Sequence, residues 1–270
     1  MKRLYFGTNL KMYKNGQETA SFLRELQEKT ADLSREEIEL FVIPSYTSLQ
    51  SAVHAVDKHI IKLGAQNMCW AEQGQFTGEI SPIMLQELGL ELVMIGHSER
   101  RHVFGERDED ENKKVLCSID HGFTTLLCIG ETECQKEYGI SDEVLRTQLK
   151  IGLYGITQER AALLASQDKL WVAYEPVWAI GTGGKPASAE YANEKHLVIK
   201  SCLRELFGKV ADNIPVLYGG SVNQENATKL IVQPEIDGLF VGRSAWSAAS
   251  FDALIRESIR AFHSAKDSTP

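Results

Sequence analysis

WVAYEPVWAIGTGGK, Trp171 to Lys185, decides how the rest of the chain is read. Its first four residues are continuously apolar, the pattern of a strand buried on both faces. A carboxylate, Glu175, ends that run, and Pro176 follows it. Beyond lies VWAI, an apolar segment between a rigid proline and a glycine-rich stretch. A charged group at the end of a buried strand, beside a segment with hinge residues at both ends, suits a base next to a closing lid.

The same unit recurs. LYFGTNL, LFVIPS, IKLGAQN, LVMIGHS, TTLLCIGE, IPVLYGG and GLFVGRS are short runs of strand length, most of them continuously apolar. Amphipathic stretches separate them. ETASFLRELQEKTADL places Phe22, Leu23 and Leu26 on one face. SAEYANEKHLVIKSCLRELFG opens with Ser188 as a candidate N-cap and reaches Gly208 as a candidate stop. SDEVLRTQLKIGLYGI has the same spacing. Eight strand–helix units in 270 residues predict an α/β fold, a single-domain (β/α)₈ TIM barrel. An open doubly wound sheet usually has fewer strands and a glycine fingerprint after the first, which TNLKMYK does not offer. The barrel is assigned to residues 1–263, and SAKDSTP, residues 264–270, reads as a frayed tail.

Composition narrows the function classes. Apolar residues are 43% and charged residues 24%, the balance of a soluble domain. The net charge of −8 argues against a nucleic-acid surface. No apolar run approaches the roughly 20 residues of a membrane-spanning helix. The start, MKRLYFGTNLKMYK, lacks the apolar core of a secretory signal and reads as the first strand. Five cysteines without a C-x-x-C pair suggest neither a disulfide framework nor a zinc ribbon, and a reducing cytoplasm is the expected location.

Catalytic groups of such barrels come from the C-terminal ends of the strands. Here those ends carry Asn9 and Lys11, Gln66 and Asn67, His97 to Glu99, Glu131, Glu175, Gly219 to Ser221, and Gly242 to Ser244. His97 precedes SERR, which reads as the start of a helical turn whose dipole disfavours an imidazolium. The acidic and histidine residues show no ligand spacing, so neither a metal nor a cofactor is expected.

FGTNLKMYK, GHSERR, YEPVWAIGTG, YGGSV and DGLFVG, in this order, resemble the triosephosphate isomerase family from Phe6 to about Trp246. The resemblance implies isomerisation of a small phosphorylated sugar through an enediolate, with Lys11, His97 and Glu175 as the catalytic set. It implies that Asn9, Lys11, Gly181, Ser221, Gly242 and Arg243 bind substrate. Glu99 is implied to support Lys11 and His97, with a structural ion pair as the other reading. The glycine pair 219–220 is open to a plainer reading, a tight turn.

The chain departs from the family pattern at Leu10 and Tyr13, where tryptophan and asparagine are usual, and at Arg243, where a second glycine is usual. GTGGKPAS also runs one residue longer than the common lid pattern. Two orientations are open for Arg243, outward or into the phosphate site. Dihydroxyacetone phosphate is the leading substrate expectation. Erythrulose phosphate is the alternative, and a non-catalytic phosphosugar-binding barrel is the third. QNMCWAEQGQFTGEIS is long for a strand–helix loop, and by resemblance it docks Trp70, Phe76 and Thr77 into a second subunit of a homodimer. Packing on its own barrel is the other reading.

Overall fold

The structure is a computed structural model that describes residues 2–180 and 185–267. Its strands, in chain order, are β1 (Leu4–Asn9), β2 (Ile38–Ile43), β3 (Lys62–Ala65), β4 (Leu92–Ile95), β5 (Thr124–Ile129), β6 (Leu170–Tyr174), β7 (Val216–Tyr218) and β8 (Gly238–Val241). Each pairs in parallel with the next, and β8 closes on β1 with Tyr5 opposite Gly238 and Thr8 opposite Val241. The predicted (β/α)₈ barrel is therefore the observed fold.

The helices are α1 (Gly16–Lys29), α2 (Leu49–Val53), α3 (Pro82–Glu87), α4 (Ser98–His102), α5 (Asp108–Asp120), α6 (Glu133–Glu137), α7 (Ser141–Gly152), α8 (Gln158–Ser166), α9 (Ala189–Phe207), α10 (Ala227–Ile231) and α11 (Ala248–Asp267). In α9, the Ser188 side chain accepts from the Tyr191 amide, and Gly208 ends the helix at φ 71°. Both boundaries were legible because a capping oxygen and a left-handed residue are local requirements. The C-terminus differs from expectation. α11 buries Phe251, Leu254, Ile255 and Phe262 on one face and continues to Asp267, past the expected boundary at Ser264, through four exposed residues.

Strand alternation divides the core in two. Leu4 and Phe6 of β1 join the helix-facing cluster with Phe22, Leu23 and Leu26. Tyr5 joins a second cluster, made only of strand residues, with Phe41, Trp171 and Phe240. This second cluster fills the barrel, as period-two side chains in a closed sheet must. At the N-terminal end, Asp168 accepts from Tyr5 Oη at 2.9 Å and from Trp171 Nε1 at 2.7 Å. Burial and that carboxylate push the Tyr5 phenol up, so it remains a donor. This end is sealed, and the open polar end is the opposite rim.

Candidate active site

Asn9 continues the inward face of β1 to the rim, where it is buried. Its Oδ1 accepts from the Lys11 amide at 2.8 Å and from Gln66 Nε2 at 3.1 Å. Gln66 Nε2 also donates to the Lys11 carbonyl at 2.7 Å. These bonds hold Lys11 in the left-handed region at φ 52°, a conformation that costs a non-glycine residue about 1 kcal/mol or more. The strained turn aims the lysine across the barrel mouth. Lys11 Nζ lies 2.6 Å from Glu99 Oε1. Glu99 thus makes an ion pair with the rim lysine.

His97 is the N-cap of α4. Its Nδ1 accepts from the Glu99 amide at 3.2 Å, which requires an unprotonated Nδ1 and leaves the ring hydrogen on Nε2. That Nε2 is 3.5 Å from Glu175 Oε1. The other carboxylate oxygen, Oε2, accepts from the Ser98 amide at 3.0 Å. Glu175 is 2% exposed and His97 4%, so the pair meets in a largely dry space.

Two glycines make room for Glu175. A Cβ on Gly130 would stand 1.9 Å from the Glu175 carbonyl oxygen, and one on Gly219 would stand 2.9 Å from its Cγ. Gly219 is therefore small because of the carboxylate beside it. Cys128, on the inner face of β5, also touches the carboxylate, and burial first and then the Glu175 charge push its thiol well up. Composition alone carried no signal for that neighbour.

The end of β6 and the segment that follows it are tied down by Glu131. This fully buried carboxylate accepts from Tyr174 Oη at 3.0 Å, Trp178 Nε1 at 2.8 Å and Tyr191 Oη at 3.0 Å. Lys136 Nζ lies 3.4 Å from the centre of the Trp178 ring. The sequence placed Glu131 at a strand end but not as this hub. Gly181, expected to bind substrate, lies outside the described residues.

Ser221 and Gly242 stand half-buried at the ends of β7 and β8. A Cβ on Gly242 would meet nothing within 4 Å, so the space over it is open. Arg243 is exposed, and its side chain makes no hydrogen bond or ion pair among the described residues. Trp246, three residues on, was not singled out by sequence. Its Nε1 donates to the Asn9 carbonyl at 3.0 Å, and its ring packs on Tyr13 at 4.4 Å. Leu10 is fully buried. On the loop between β3 and α3, Trp70 and Phe76 are partly exposed and meet edge to face at 5.9 Å, and Thr77 is exposed.

The sequence profile of triosephosphate isomerase matches residues 4–258 of this barrel. The chain belongs to the triosephosphate isomerase family. Among relatives of this family, the L-erythrulose-1-phosphate isomerase of Rhizobium etli is 46% identical over 94% of this chain and 92% of its own. The L-erythrulose-1-phosphate isomerase of Mesorhizobium japonicum is 45% identical over 96% of this chain and 99% of its own. The triosephosphate isomerase of Carboxydothermus hydrogenoformans is 42% identical over 96% of this chain and 100% of its own. Family membership makes the chain a sugar-phosphate isomerase, an enzyme and not a passive binding barrel. No helix among the described residues is long and apolar enough to cross a membrane, and none of their acidic, histidine and cysteine groups could hold a metal ion.

Proposed function

We propose that this chain isomerises a four-carbon ketose phosphate, erythrulose 1-phosphate, through an enediolate. Glu175 takes the proton from the hydroxyl-bearing carbon next to the carbonyl and returns it to the former carbonyl carbon. The hydroxyl proton travels in the same direction, from the oxygen on that carbon to the former carbonyl oxygen, with the His97 Nε2–H serving both oxygens. Lys11 supplies positive charge to the enediolate and to the phosphate. The observation that carries the acid–base reading is the His97 Nε2–Glu175 Oε1 approach of 3.5 Å, with Nδ1 already committed to the Glu99 amide. In the triose, the deprotonated carbon is terminal and an aldose forms. In erythrulose 1-phosphate it carries one more hydroxymethyl group, and the product is again a ketose.

The tetrulose reading, second in the sequence analysis, is supported by the relatives that carry the erythrulose name at 46% and 45% identity. It also agrees with departures from the family pattern at Tyr13, whose ring packs on Trp246, and at Arg243, around unchanged acid–base groups. The triose reading keeps the support of the 42% identical triosephosphate isomerase. The deciding experiment compares kcat/KM on L-erythrulose 1-phosphate and on dihydroxyacetone phosphate. A preference of tenfold or more for the tetrulose, about 1.4 kcal/mol in transition-state binding, supports the proposal, and the reverse preference overturns it.

The same reading includes a homodimer formed through Trp70, Phe76 and Thr77, in a reducing cytoplasm suited to five free cysteines. The exposure of two aromatic rings on one long loop supports the dimer. Sedimentation of a single 30.1 kDa species at micromolar concentration would sink it.

A further inference from the structure

Beneath the rim, between α4, α5 and the barrel wall, two acids meet. Glu111 of α5 is fully buried, and neither of its carboxyl oxygens has a donor among the described residues. Glu106, just before α5, is lopsided. Its Oε1 accepts from Arg100 Nε at 2.9 Å, Lys114 Nζ at 2.6 Å and Asn67 Nδ2 at 3.2 Å, while its buried Oε2 accepts from nothing. The Glu111 carboxyl lies within hydrogen-bonding reach of Glu106. Three orphaned acceptor oxygens on two touching carboxyls are not stable as two carboxylates, because each buried acceptor needs a donor and like charges repel. One proton placed between them removes the repulsion and gives Glu106 Oε2 its donor.

We propose that Glu111 is a positioning residue that keeps its proton and donates it to Glu106 Oε2, so that losing this proton loosens the grip of Glu106 on Arg100, Lys114 and Asn67. Glu106, with its cationic donors, is the ionised partner. The groups facing Glu111 are Arg101 from α4, Glu106 from the connecting loop, Lys114 from its own helix and Cys128 from β5. β4 brings no titratable side chain. On α7, Asp142 and Arg146 pair with Lys195 and Glu205, and Glu143 and Lys150 are exposed. Burial and Glu106 raise the Glu111 carboxyl and Arg101 and Lys114 lower it, leaving it at about 7, where a physiological change in pH reaches it.

The consequence reaches the rim by short covalent paths. Arg100 is three residues from His97 in α4, and Asn67 adjoins Gln66, which holds Asn9 and Lys11. Arg101, beside Glu111, donates to the Gly96 carbonyl at 2.7 Å and to the Cys128 carbonyl at 3.1 Å. The inference holds for either sugar phosphate.

Two measurements test it. Infrared difference spectra of the unaltered protein should show a protonated-carboxyl C=O stretch at about pH 5.5 that is absent at about pH 8.5. Glu111→Gln, which keeps a donor but cannot ionise, should lack that band. The urea midpoint of Glu111→Gln relative to the parent should also rise across the same interval, because only the parent loses the shared proton. A parent without the band, or a midpoint difference that does not change with pH, would overturn the proposal.

Discussion

The Ser98 amide donates to Glu175 Oε2 at 3.0 Å, so the first turn of α4 holds the carboxylate proposed as the base. Residues 77 positions apart are joined there because the β4 and β6 ends lie on one rim. In the proposed reaction the carboxylate exchanges this amide for a carbon-bound proton.

Glu175→Asp should therefore separate chemistry from binding. Drawing the carboxylate back by one methylene misplaces it by about 1 Å, which costs on the order of 100-fold in kcat. Inorganic phosphate should bind with nearly unchanged affinity, since no phosphate contact is altered. Steady-state kinetics with phosphate as a competitive inhibitor gives both numbers. Equal losses in both would remove Glu175 from the role of base.

Lys11→Met keeps the length of the side chain and removes its charge. It should lower kcat/KM by about 100-fold or more, the size expected for a lost charge-stabilising group in a dry site. Glu99→Gln should cost far less, because the ammonium 2.6 Å away stays in place. If the two variants are equally impaired, the ion pair and not the cation is what matters.

Arg243→Ala tests substrate fit. The exposed guanidinium has no partner among the described residues, so its loss should spare the thermal midpoint. The ratio of tetrulose to triose kcat/KM should fall by about tenfold if the side chain reads the larger sugar. An unchanged ratio takes Arg243 out of substrate selection.

Glu131→Gln should be destabilising by about 1–3 kcal/mol. Donors from Tyr174, Trp178 and Tyr191 converge on Oε1, where a neutral amide oxygen accepts more weakly than a carboxylate, and the amide nitrogen replaces the Oε2 that also accepts from Tyr174. Urea unfolding reads this directly, and a change within about 0.5 kcal/mol would mean that the hub rearranges at little cost.

Stability should also show two opposed pH slopes. Glu111 is raised from 4.5 to about 7 in the fold, so its contribution is complete below 4.5 and is lost as pH rises through 7. His196, fully buried, is lowered by that burial from 6.5 to about 3, so its contribution is complete above 6.5 and is lost as pH falls through 3. Each amounts to a few kcal/mol, since a tenfold change in proton affinity is worth about 1.4 kcal/mol. Between 4.5 and 6.5 they oppose one another, and the parent profile should be nearly flat there. Glu111→Gln should uncover the His196 slope, with stability rising over that interval, as followed by urea midpoints at each pH. A flat profile in the variant would contradict the assignment.

What the sequence determined is local. Short continuous apolar runs bounded by turn residues read as strands buried on both faces, and eight of them alternating with amphipathic helices close into a barrel. Ser188 and Gly208 bound α9 because capping needs only the residues at the helix ends. Asn9, Lys11, His97, Glu99 and Glu175 were legible because each ends a strand, and strand ends share one rim. The tertiary structure decided the contacts between residues far apart in the chain. Trp246 meets Asn9 across 237 residues only because β8 pairs with β1, and no periodicity encodes that closure. The donors to Glu131 and the Ser98 amide on Glu175 have the same origin. Residue type announces a charge, but what that charge can do depends on burial and on partners that only the closed barrel brings within reach.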